Sequence, residues 1–190
     1  MDVEISHAIR TELTARWNEP HRHHHNQRHL DEVLAALGVL REAGVAFDER
    51  PVVLAAWFHD AVYEPFSATN EEDSADLARE LLAGDPDRDE VARLVELTKT
   101  HEPAADDRNG VALSDADFAV LGADAVRYDE YAANIQAEFS QVPAEIFRTK
   151  RAELLTEFLS RPRIFVSAPA NQRWESVARA NIEREIGELR

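Results

Sequence analysis

The stretch Val52-Val53-Leu54-Ala55-Ala56-Trp57-Phe58-His59-Asp60-Ala61-Val62-Tyr63 decides how this chain is read. Wound as a helix it is apolar on every side, which predicts a helix buried all round. It is too short to span a bilayer, which needs about 20 apolar residues. Two polar side chains interrupt it, His59 and Asp60. A buried carboxylate is costly unless it is paired or bound to a metal. The adjacent imidazole and carboxylate are therefore either ligands of one metal ion or a structural hydrogen-bonded pair.

Outward from this stretch the periodicity stays helical. Leu30, Val33, Leu34, Leu37 and Leu40 share one face of a helix over 25–43, with Gly44 as its stop. A first helix is expected over 3–17, and Pro51 is a good first-turn residue for a helix reaching 62 or 63. Asn70 is expected to cap a helix running to 82, before the Gly84-Asp85-Pro86 break. Further helices are expected over 87–100, from a Ser114 cap to 121, over 123–139, and from Pro143 with a stripe of Phe147, Leu154, Leu155, Phe158 and Leu159. The last spans 171–189, with Trp174, Val177, Ala178, Ile182, Ile186 and Leu189 on one face. Residues 102–110 read as a loop, and 163–166 as a short extended piece. With only 6 Gly and 8 Pro in 190 residues, the chain predicts an all-α fold and one domain over 1–190.

The formal net charge of −16 repels nucleic-acid phosphates and argues against a nucleic-acid polymer as partner. Without cysteine, any metal site must use imidazole and carboxylate. Residues 1–10 carry Asp2 and Glu4 and no apolar core of a signal peptide, so a cytoplasmic monomer or homodimer with no membrane attachment is expected.

Three more segments carry candidate chemistry. Five of the eight histidines lie in His21-Arg22-His23-His24-His25-Asn26-Gln27-Arg28-His29. His25 and His29 are four apart and share a helix face. His29 borders the apolar stripe, which suits either a ligand or a core-edge histidine bonded to a carbonyl. In Leu113-Ser114-Asp115-Ala116-Asp117-Phe118, Asp115 suits an N-cap and Asp117 points inward. His101 follows Thr98-Lys99-Thr100 at a helix end, where the dipole favours it, and could contact phosphate or a second metal. Arg148, Lys150 and Arg151 read as a solvated helix surface.

The order His29, His59-Asp60, Asp117 resembles that of the HD-domain metal-dependent phosphohydrolases. The likeness extends to residues 22–30 (R-x-Y-H-N-x-x-H-[IL] in the family), 57–63 (W-F-H-D-x-[VI]-Y), 70–75 (N-E-E-x-S-A), 115–122 (D-A-D-L-x-x-L-G) and 178–181 (A-R-x-N). It is nearest to the small stand-alone members of that superfamily. The chain departs from the pattern at His24 (tyrosine), Phe118 (leucine) and Gln136 (commonly arginine).

The resemblance implies a compact HD-domain helical bundle, with a metal-binding core over about 22–122 completed by 123–190. It implies one divalent metal, Mn, Fe, Co, Ni or Zn with Mg as a further option, held by His29, His59, Asp60 and Asp117. The expected activity is hydrolysis of a small phosphorylated molecule, such as a nucleotide, by a metal-activated water. Asp60, Glu71 and Glu64 are the candidate catalytic carboxylates. His25, Arg22, Arg28, Lys99 and His101 are candidate phosphate contacts. Two alternatives are a metal- or nucleotide-binding module without turnover and a two-iron oxygenase using His25 and His101 as extra ligands.

Overall fold

Nine α-helices follow one another among residues 3–190, which the computed structural model describes. They are α1 (His7–Trp17), α2 (Gln27–Glu42), α3 (Glu49–Phe58), α4 (Asn70–Leu81), α5 (Arg88–Leu97), α6 (Arg108–Asp117), α7 (Ala125–Glu138), α8 (Ala144–Ser160) and α9 (Ala168–Leu189). A 3₁₀ turn, Phe118–Gly122, continues α6. The described residues form no strand, so the fold is all-α. Side-chain caps start several helices: Ser6 accepts from Ile9 N, Asn26 from Arg28 N, Asp124 from Arg127 N and Ser167 from Ala170 N.

Helix α3 is the hub. Its residues from Pro51 to Phe58 are all buried, and α2, α4, α5 and α6 surround it. It begins earlier than the proline suggests and stops at Phe58, short of 62. Groups from other segments take over the backbone there. Arg22 Nη1 donates to Asp60 O (2.7 Å), Nη2 to Ala61 O (3.2 Å), and Val62 N donates to Ser74 Oγ (3.0 Å). Apolarity predicted the burial but carries no signal for this stop, because partners far along the chain impose it.

Other expectations are corrected similarly. Asn70 does not cap α4: it is the first residue of that helix, and its amide instead clamps Glu64, accepting from Glu64 N and donating to Glu64 O. Ser114 lies inside α6 and is buried. The cap is Asp107, which accepts from Gly110 N, so the expected loop ends at 107. Helix α9 begins at Ala168, capped by Ser167. Its residue Val177 is 39% exposed, off the buried face. In α8 only Leu155 of the apolar stripe is buried, while Arg151, read as solvated, is only 6% exposed.

The extended piece at 163–166 is not a strand, because side chains satisfy its backbone. Glu175 accepts from Ile164 N and Phe165 N, and Asp115 from Val166 N and Ser167 N. Asp115 is thus a buried clamp between α6 and the start of α9, not an N-cap. Helix α9 packs closely on the 3₁₀ turn: a Cβ on Gly122 would stand 2.5 Å from Trp174 Cβ. No helix among the described residues is long and apolar enough to cross a membrane.

Candidate metal centre

The start of α2, the end of α3 and the end of α6 bring His29, His59, Asp60 and Asp117 to one point. His29 Nε2 lies 3.2 Å from His59 Nε2, 2.9 Å from Asp117 Oδ1 and 3.7 Å from Asp60 Oδ2. His59 Nε2 lies 3.2 Å from Asp60 Oδ2 and 3.5 Å from Asp117 Oδ1. Both imidazoles are buried, and each of His29, His59 and Asp117 offers a ligand atom within 4.8 Å of the others. This triad can hold a metal ion. Asp60 borders it through the distances just given.

The donor set fits a cation. His59 Nδ1 is 2.8 Å from the carbonyl of Ala56. A carbonyl only accepts, so Nδ1 carries the hydrogen and Nε2 can present its lone pair to the cluster, the arrangement usual for metal-bound histidine. The ring of Trp17, 5.4 Å from His59 and 6.3 Å from His29, forms an apolar wall. Electrostatics point the same way. Burial opposes charge on His59, but the Asp60 and Asp117 carboxylates outweigh it and hold its pKa well above the usual imidazole value. Burial would raise Asp117, yet charge on His59 and hydrogen bonds from His101, His29 and His59 hold it well below the ordinary carboxylate range. Asp60 is lowered as well, the charges of His59 and His25 outweighing its burial. The cluster attracts positive charge, whether a proton or an ion supplies it.

Above the cluster lies a cavity of about 180 Å³. Its polar lining includes His24, His25, Glu71, Thr98 and His101. Phe118, Leu121, Tyr131, Ile135 and Phe158 supply apolar walls. His101 Nε2 meets the second oxygen of Asp117, Oδ2, at 3.2 Å. Its φ of +51° lies in the left-handed region, unusual for a residue with a side chain. Such strain persists where surroundings impose it, and it clusters at functional sites.

Of the sequence candidates, the structure brings His25, Glu71 and His101 to the cavity with Asp60, His29 and Asp117. It does not bring the others. Arg22 is buried, but its guanidinium holds the carbonyls of His25, Asp60 and Ala61 and the carboxylate of Glu19. It shapes the backbone that presents Asp60. Arg28 is 54% exposed and pairs with Glu32 and Glu130. Lys99 pairs with Glu72 on the surface, and Glu64 is exposed outside the cavity. The three cations find nearer partners, whereas Glu64 is held through its backbone by Asn70 and leaves its carboxylate on the surface.

Glu138, at the end of α7, escaped the sequence reading. It is buried and accepts from the backbone N–H groups of His23, His24 and His25 at 2.8, 2.7 and 3.0 Å. His25 Nδ1 lies 2.7 Å away and Tyr63 OH donates at 2.8 Å, with the Tyr63 ring stacked on His25 at 4.1 Å. Burial would raise Glu138, but the hydrogen bond and charge of His25, with the backbone and Tyr63 donors, lower it to about 2. Burial works against charge on His25; Asp60 and Glu138 prevail and raise it. Nothing in the sequence links Glu138 to a histidine run more than a hundred residues earlier. An acidic residue closing an amphipathic helix was the only signal. Next to it, burial and the charges of His29 and His25 hold His24 well below the usual imidazole pKa.

No protein-family model, no curated protein and no solved structure matches the chain. The likeness to the HD-domain phosphohydrolases rests on the motifs alone.

Proposed function

We propose that this protein is a metal-dependent phosphohydrolase holding one divalent transition-metal ion through His29, His59, Asp60 and Asp117 and hydrolysing a small phosphate ester. One observation carries the reading: the Nε2 atoms of two buried imidazoles stand 3.2 Å apart, facing two carboxylates, beneath a cavity. Mixed nitrogen and oxygen ligands suit Mn²⁺, Fe²⁺, Co²⁺, Ni²⁺ or Zn²⁺. Bound there, the ion supplies Lewis acidity and lowers the pKa of a water molecule.

The chain's own groups supply the rest. Glu71, the carboxylate of the cavity outside the ligand set, takes the proton of the attacking water. His25, oriented by Glu138 and Tyr63, gives a proton to the leaving oxygen, a role its raised pKa suits. His101 lines the cavity and holds the second oxygen of Asp117 toward it. The cavity is smaller than the roughly 300–1,000 Å³ that encloses a drug-sized ligand. It therefore takes the reacting end of a small substrate, with the walls of Phe118 and Phe158 against its non-reacting part.

The purified protein is expected to bind about one metal per chain and to hydrolyse at least one ester in a phosphoester panel assayed with each metal. His59→Ala and Asp60→Ala should lose both. Equal metal content in wild type and variants by elemental analysis overturns the proposal. A second reading, a two-iron oxygenase, draws on His101 touching the free oxygen of Asp117. Two irons per chain with no phosphoester turnover would favour it.

A further inference from the structure

The cations that the sequence offered for substrate charge, Arg22, Arg28 and Lys99, all have partners elsewhere. A different cation, itself outside the cavity lining, stacks on one of the lining side chains. Arg161 ends α8, and the following Pro162 disfavours helical backbone at this position. Arg161 is accordingly extended, at φ −63° and ψ 138°. Its side chain leaves the helix and lays the guanidinium over the Phe158 ring, 5.0 Å from the centroid. Nη2 reaches the carbonyl of Thr100 at 3.5 Å. Among the described residues Arg161 has no carboxylate partner, in a chain whose acids outnumber its cations by 16.

Two routes tie this guanidinium to the metal centre. Phe158 and Phe118 both line the cavity and pack edge to face at 5.1 Å, and Phe118 lies 4.1 Å from the His101 ring. Thr100, whose carbonyl Arg161 approaches, precedes His101 in sequence. Since His101 reaches Asp117 with its far nitrogen, the Thr100 carbonyl and the whole of His101 stand between the guanidinium and the ligand cluster. That is too far to touch a phosphate seated on the ion, and suits the other end of a short substrate.

The segment carrying Arg161 is irregular but held. Arg179 donates to Leu159 O at 3.0 Å and Arg161 O at 2.8 Å, and is itself paired with Glu175. Glu175 and Asp115 take the four backbone N–H groups from Ile164 to Ser167. Asp115 and Arg179, motif residues with no role at the metal, thus fix the segment that presents the cation. Stacking on Phe158 preorganises it.

We propose that Arg161 anchors a second anionic group of the substrate, so that the site takes a compact molecule with a phosphate ester at one end and another anion at the other. This rests on the phosphohydrolase reading of the metal centre. Glycerol 3-phosphate and 3-phosphoglycerate form a matched test pair, differing only in a neutral or anionic far end. Their affinities for Mn²⁺-loaded protein are measured by calorimetry, with inorganic phosphate as a third probe. The wild type should bind 3-phosphoglycerate at least tenfold more tightly than glycerol 3-phosphate. Arg161→Ala should abolish that preference without weakening glycerol 3-phosphate, Arg161→Lys should keep part of it, and Arg148→Ala on the same helix should keep all of it. No preference in the wild type, or equal weakening of both esters in Arg161→Ala, overturns the proposal. If phosphate still binds in either case, only the anchoring role falls. If none of the three probes binds, the phosphohydrolase reading falls with it.

Discussion

Two buried clusters in this molecule treat charge in opposite ways. Around Glu185, each charge meets its complement. Arg151 donates through Nε (2.8 Å) and Nη2 (3.2 Å), Tyr128 OH donates at 2.6 Å, and the Tyr131 ring lies under the guanidinium. Around His29, His59, Asp60 and Asp117 the lone pairs converge, and positive charge must come from a proton or an ion. The first arrangement is finished by folding. The second asks for a ligand. Burial alone does not distinguish a structural polar cluster from a functional one, but the pairing of donors with acceptors does.

The sharpest way to break the contrast is Arg151→Ala. Removing one partner of a buried pair leaves Glu185 uncompensated, at a cost of about 3–5 kcal/mol. Urea unfolding should show that loss while metal content stays at the wild-type level. His59→Ala should do the reverse at the other cluster. Loss of metal in Arg151→Ala would mean that the two clusters are one coupled network.

Glu138 stands between these extremes, a fully paired carboxylate that serves the site. Its pKa falls from 4.5 to about 2 on folding. A depressed carboxylate stabilises the fold above its unfolded value, and that contribution fades as pH drops from about 4.5 to about 2. Its size is on the order of 3 kcal/mol. His25 runs oppositely: its raised pKa stabilises below about pH 6.5, a contribution lost as pH climbs through the folded value. Unfolding free energies of chelated protein should therefore fall less steeply between pH 4.5 and 2 in Glu138→Gln than in the wild type. Parallel curves would show that folding leaves the Glu138 pKa unshifted.

How far the sequence reached follows the same division. The buried α3 and the helical order were legible, because each depends on local periodicity and on the cost of burying polar groups, while the grouping of His29, His59 and Asp117 was implied only by the resemblance in motif order. The end of α3 at Phe58 was not, since Arg22 and Ser74 dictate it from outside. Ser114 looked like a cap because it precedes an apolar run, yet Asp107 starts that helix earlier. Arg151 sits in a charged stretch that reads as surface, and only its placement opposite Glu185 makes it core. Glu138 and Arg161 act through contacts with distant segments, on which composition and spacing are silent.

His101 tests whether strain belongs to the functional cluster. A left-handed backbone costs a residue with a side chain on the order of 1 kcal/mol, and glycine escapes that cost. His101→Gly should therefore raise unfolding stability by about 1 kcal/mol in metal-free protein while lowering turnover of the best phosphoester. A fall in stability would show that the imidazole contributes more through Asp117 and Phe118 than the backbone loses, making it a structural residue.

The smallest effect is expected at Arg28, and it bears on the argument from the other side. Its guanidinium is 54% exposed and bonds Glu32 at 3.1 Å and Glu130 at 2.9 Å, a surface arrangement worth about 0–1 kcal/mol. Arg28→Ala should change stability by less than about 1 kcal/mol and leave kcat/KM within about twofold, well under the 1.4 kcal/mol that a tenfold change requires. Steady-state kinetics with the best phosphoester decide the point. A tenfold rise in KM would mean that Arg28 leaves its two glutamates to meet substrate. Arg161 would then lose the argument by elimination that singles it out, and the cavity would open toward the start of α2 instead of the end of α8.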